Sequence, residues 1–154
     1  MKRREVLTLV GGAAAAGVRR ARAQQGSVPV VGFLSGSSRA TFGHVAEAFR
    51  KGLAENGFGP SHVAIEERWA EGQTGRLRAF ADELVRSQVA LIAAGGDPAA
   101  LAAKEATASI PIVCTTSDPI ELGLVASYNK PGGNVTGIAI LTNSLGANLS
   151  YSSG

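Results

Sequence analysis

The sequence is short of the residues that most often carry chemistry. Among its 154 residues are one cysteine (Cys114), one methionine, one tryptophan (Trp69) and two histidines (His44 and His62). A single cysteine excludes an internal disulfide. Cys114 sits in the apolar run 110–114 with no histidine within a few residues, so it reads as a small buried strand residue rather than a nucleophile. Neither histidine joins a cluster of cysteines and carboxylates at metal-ligand spacing, so neither a metal nor a cofactor is expected. Aromatic residues make up only 5% of a chain that is 45% hydrophobic. Alanine and glycine fill the difference, which favours helices packed closely on a sheet over an aromatic-rich all-β fold.

Basic charge is also scarce outside the first segment. The net charge of +3 suggests a nucleic-acid binder. Yet residues 1–23 hold six basic residues and one acid, whereas the other 131 hold nine basic and eleven acidic residues. A mildly acidic body has no lysine or arginine stripe with which to displace counterions from a phosphate backbone, so no nucleic-acid partner is expected. The longest apolar stretch, 6–18, is too short to span a membrane, so the chain is not expected to be membrane-embedded.

What is present begins with a leader. Met-Lys-Arg-Arg is followed by the apolar stretch 6–18 and by Ala21-Arg22-Ala23, a small-x-small cleavage pattern. Residues 1–23 therefore read as an export signal, and Arg3-Arg4-Glu5-Val6-Leu7 resembles the twin-arginine motif. Arg19 and Arg20 make its end unusually basic. An amphipathic N-terminal helix is the competing reading, but 6–18 shows no polar face. The expected location is the periplasm, reached by the twin-arginine or Sec route.

From Val28 onward, short apolar runs alternate with amphipathic stretches. Strands are expected at 28–34, 63–69, 89–94, 110–115 and 135–141. Helices are expected at 41–56, 74–87, 99–107 and from Asp118 to about Tyr128. In the first helix Phe42, Val45, Phe49 and Leu53 share one face, and Gly57 follows as its C-terminal stop. In the second, Leu77, Phe80, Ala81, Leu84 and Val85 point inward. Asp97-Pro98 and Asp118-Pro119 each read as a helix start, with aspartate as the cap. This alternation implies an α/β fold with a doubly wound parallel sheet in one lobe, 24–143.

Ligands of such sheets bind beyond the carboxyl ends of the strands, where strand order reverses. The loops due at that edge are Ser35-Gly36-Ser37-Ser38, Gly95-Gly96-Asp97, Thr116-Ser117-Asp118 and Thr142-Asn143. They offer hydroxyls, backbone N–H groups and helix N-termini, which suits a small carboxylate or zwitterion. No general base stands beside a nucleophile, so the arrangement does not suit catalysis. Each element has a plainer reading: Asp97 and Asp118 as helix caps, Ser35 to Ser38 as a turn, Trp69 as packing at an edge strand. Glu66, Glu67, Arg76 and Arg78 read as solvated faces. A small nucleotide-dependent enzyme is the competitor for this fold, but Gly32-Phe33-Leu34-Ser35-Gly36 is not G-x-G-x-x-G. A ligand-sensing domain would need a signalling or DNA-binding segment, which the chain does not show.

Several segments resemble a known family. The leader MKRREVLTLVGGAAA, PVVGFLSGSS, RWAEGQ and IPIVCTTSDPIELGLVAS followed by NKPGGNVTG are similar to the substrate-binding proteins of ABC importers with a type I periplasmic-binding-protein fold. The resemblance covers Met1 to about Gly146. It implies Rossmann-like lobes closing on a small solute, amino acids among them, and a membrane permease and ATPase as partners. Members are about twice this length, so the second lobe is expected to be absent here. Residues 144–154 end in Ser150-Tyr151-Ser152-Ser153-Gly154, polar and without helical period. Codons for that pentapeptide, read in the neighbouring frame, can spell Leu-Val-Leu-Leu-Arg, so a truncated or frameshifted tail is expected, on a single lobe that has lost most ligand affinity or all function.

Overall fold

The computed structural model describes residues 27–129 and 132–139. The leader, Thr142, Asn143 and the tail 144–154 lie outside the described residues.

Five strands form one sheet: β1 (Val30–Ser35), β2 (Ala64–Trp69), β3 (Leu91–Gly95), β4 (Ile112–Thr116) and β5 (Val135–Ala139). All neighbours are parallel and the spatial order is β2-β1-β3-β4-β5. Three helices connect them: α1 (Arg39–Glu55), α2 (Leu77–Arg86) and α3 (Asp97–Ala106). The expected doubly wound α/β architecture is the observed one, and strand order reverses between β1 and β3.

Alternation along each strand assigns the two faces. Leu34, Ile92, Ala94, Ile112 and Cys114 point to the side covered by α2 and α3, where Leu77, Ala81, Leu84, Ala99 and Ala103 complete the larger core. The fit is close at Gly32, where a Cβ would come within 2.9 Å of Leu84 Cδ1 and the leucine side chain would have to shift. On the other face Val31, Phe33 and Ala93 pack beneath Ala46 and Phe49 of α1.

That second face is only partly covered among the described residues. Helix α1 lies over β2, β1 and β3, whereas β4 and β5 turn Val113, Thr115, Thr136 and Ile138 outward, with Val113 paired to Thr136 and Thr115 to Ile138. Val113 is 37% exposed and Ile138 65%.

Helix ends follow from local chemistry. Ser38 Oγ accepts from the Thr41 N–H at 3.2 Å and caps α1. Gly57, at φ +87°, closes its far end, with Gly57 N donating to Ala54 O and Phe58 N to Leu53 O. The expected helix from Asp118 to Tyr128 does not form. Asp118 Oδ1 accepts from Ile120 N (2.9 Å) and Glu121 N (3.1 Å), which starts one turn. Gly123 then adopts φ +67°, and Leu124 and Val125 both donate to Pro119 O. These two residues are buried in irregular backbone instead. Lys104 Nζ holds the released carbonyls of Gly123 and Leu124.

Candidate functional site

A cleft of about 450 Å³ opens at the carboxyl ends of β1, β3 and β4, beside the point where strand order reverses. Its polar rim is Ser35, Ser37, Gly95, Gly96, Asp97, Thr116 and Ser117. The structure thus brings seven of the residues expected from sequence to one place. Gly36, Ser38 and Asp118 do not line it. Ser38 and Asp118 are spent on capping, and Gly36 fixes the loop, its carbonyl accepting from Gly72 N at 2.9 Å.

The rim is held from several sides. Ser35 O accepts from Ala70 N at 2.9 Å and Ser37 O from Glu71 N at 3.2 Å, so the β1 loop is tied to the loop after β2. Ser37 N in turn donates to Ser35 Oγ at 3.2 Å. Gly96, at φ +92°, stands at the cap position of α3 and its N–H donates to Thr115 O at 3.0 Å. Asp97 is therefore the first helical residue and not the expected cap. Its carboxylate reaches across to the β4 loop, accepting from Ser117 N (2.8 Å) and Ser117 Oγ (2.6 Å). A glycine at the cap leaves the first N–H groups of α3 without a side-chain cap, and the Asp97 carboxylate, in the first turn, is the charge that stands beside the positive helix end. Within the rim, Thr116 Oγ1 is buried without a hydrogen-bond partner. Burial, and then the charge of Asp97, pushes the Cys114 thiol up from its ordinary range.

The rest of the cleft is apolar. Phe33, Phe42 and Val45 line it, with Thr115 opposite. Phe42 is 48% exposed and Val45 40%, so the apolar face shared with Phe49 runs from the core out to the cleft. Periodicity marks an apolar helix face, but it does not distinguish a face turned to the core from one turned to a cleft. Trp69 does not line the cleft; its ring packs 5.3 Å from Phe33. Glu67 is not on a solvated face either. Its side chain is 9% exposed and pairs with Arg39 and Arg50. Alternation along the strand already sets Glu67 on one side with Val63 and Ile65; what it does not show is that this face lies under α1.

A second hollow of about 470 Å³ lies by the start of β5, among Lys104, Gly123, Leu124 and Asn134. Its single charged group, Lys104, is already bonded to two carbonyls. Among the described residues no group of three potential metal ligands assembles, and no helix is long and apolar enough to cross a membrane.

Comparison with known proteins bears on the same region. Residues 27–147 match the family described as ABC transporter substrate binding protein. A tyrosine-binding protein of Clostridioides difficile is 38% identical over 93 residues, which is 59% of this chain and 27% of that protein. Among solved structures, an ABC domain in complex with L-Trp from Streptococcus pneumonia superposes with a TM-score of 0.69 at 31% identity, covering 73% of this chain and 39% of that one. The ligand-free, open structure of a substrate binding protein with adhesive properties from Clostridium difficile gives 0.71 at 30% identity, with coverage of 79% and 42%. A conserved domain protein from Vibrio cholerae shares the fold, with a TM-score of 0.74 at 24% identity. The chain spans about a quarter of the curated relative's length and about two fifths of the solved chains.

Proposed function

Because the chain belongs to the ABC transporter substrate-binding protein family, we propose that its cleft receives a free amino acid with an apolar or aromatic side chain. The observation that carries this reading is the cleft's division into a polar rim and an apolar wall at the switch point of the sheet. An α-carboxylate fits the N-terminus of α3, where the N–H groups of Asp97 and Ala99 are free of a capping side chain. An ammonium group fits Asp97, whose two oxygens retain lone pairs beyond those used by Ser117. The side chain then lies along Phe33, Phe42 and Val45. The names of two relatives, which mention tyrosine and L-Trp, point to the same ligand class.

In this reading residues 1–23 direct export to the periplasm and 24–143 form the binding lobe. The bound solute passes to the permease and ATPase subunits of an importer. Thr142 and Asn143 belong to the proposed rim on sequence grounds alone.

Titration with single amino acids tests the reading. Trp69 is the sole tryptophan and touches the cleft wall through Phe33, so its emission reports occupancy. L-Phenylalanine and L-leucine are expected to bind at roughly millimolar strength, about −4 kcal/mol, since one lobe supplies one wall. Calorimetry extends the series to L-tyrosine and L-tryptophan. A response to NADH with none to any amino acid would replace this reading with the nucleotide-enzyme one.

A further inference from the structure

Glu67 is a carboxylate at 9% exposure on an edge strand, and the polar rim of the cleft does not use it. Burying a charge is unfavourable unless it is paired and hydrogen-bonded. Glu67 meets that condition on both oxygens. Oε1 accepts from the Arg50 guanidinium, while Oε2 accepts from Trp69 Nε1 at 2.9 Å and lies 3.5 Å from Arg39 Nη1. Arg50 is further held by Glu47 at 2.6 Å.

The positions of these partners matter more than their number. Arg39 and Arg50 stand eleven residues apart on α1, about three turns, so they share a helix face. One carboxylate therefore fixes α1 at two places along its length. Phe42 and Val45, the residues of α1 that line the cleft, lie between those two places in sequence. Through Trp69 the same carboxylate fixes the ring behind Phe33, the third apolar lining residue, and Phe33 is also the register partner of Glu67 across β1 and β2. We infer that Glu67 is the positioning residue of the cleft's apolar wall, acting on Phe42 and Val45 through the arginines and on Phe33 through Trp69. Its place in ligand binding rests on the cleft reading above; its hold on α1 and Trp69 does not.

The test uses the 154-residue chain with Glu67→Leu and Glu67→Gln, each measured well below its own melting midpoint. Leucine fills similar space without a charge, and Arg39 and Arg50 are exposed enough to be solvated when released, so the fold survives. Glutamine keeps an acceptor for the indole N–H but loses the charge that holds the arginines. Three readouts separate positioning from stability. Glu67→Leu is expected to raise acrylamide quenching of Trp69 at least twofold and to speed amide exchange in α1. It is also expected to weaken L-phenylalanine binding about tenfold. Glu67→Gln is expected to leave quenching unchanged and still speed exchange in α1. If Glu67→Leu leaves quenching and exchange as in the parent chain, the inference is overturned, whatever the ligand result. If both change as expected but the parent chain binds no amino acid, the positioning stands and the ligand assignment falls.

Discussion

Cys114 shows how little of a residue's behaviour follows from its type. It is 1% exposed and lies against the backbone of β5, where a Cβ on Gly137 would stand 3.0 Å from its sulfur. Burial, then the negative charge of Asp97, raises its thiol pKa above the ordinary value. The thiol is therefore expected to resist iodoacetamide at pH 8 in the native chain and to react on unfolding. A raised pKa also sets a sign for stability. The folded form keeps the proton longer than the unfolded form, so the contribution is complete below the ordinary thiol pKa and is lost as pH rises through the folded one. Melting midpoints from pH 7 to 10 should fall more steeply for the parent chain than for Cys114→Ala. Equal slopes would show that the thiol does not titrate between the two states. Asp97 illustrates the same lesson from the other side. An Asp-Pro pair reads as a cap, yet Gly96 takes the cap position and frees the carboxylate to join two loops.

At the scale of elements, each helix end depends on a few atoms. Replacing Ser38 with alanine removes the acceptor for Thr41 N and is expected to cost about 1 kcal/mol. Denaturant unfolding should show this as a lower midpoint at unchanged slope. A loss below a few tenths would mean that the Thr41 hydroxyl, which donates to Ser38 O at 3.2 Å, holds the first turn by itself. The strands were legible within about two residues because the central ones read as apolar runs bounded by turns, whereas the edge strand β2 shows in its alternation. The missing helix after Asp118 was not legible. Its apolar residues Leu122, Leu124 and Val125 fit a helical window, and only the positive φ of Gly123 reveals that the chain turns after one cycle. The polar rim could be read from the loops that follow the strands. The apolar wall could not, because Phe42 and Val45 obey the same 3.6-residue period whether they meet a core or a cleft. The Glu67 cluster ties its carboxylate to arginines 17 and more positions away, which no local pattern encodes.

At the scale of the whole molecule, the sheet is wound on both faces but not equally. Two helices and the loop at Leu124 and Val125 close one face, whereas among the described residues the other is closed only over β2, β1 and β3. Neighbouring strands lie about 4.8 Å apart, so the two bare strands leave a strip about one helix wide. Neither β4 nor β5 carries a charged residue. In chromatographic terms, such a strip should retain the protein on a phenyl resin in concentrated ammonium sulfate, because excluded salts strengthen apolar contact. Ile138→Lys removes an exposed apolar group without opening a cavity, so it should elute at markedly lower salt with its melting midpoint unchanged. Unaltered retention would place the adhesive surface elsewhere. A chain with that surface is best handled cold, dilute and at low salt, since apolar contact weakens on cooling and when excluded salts are withdrawn.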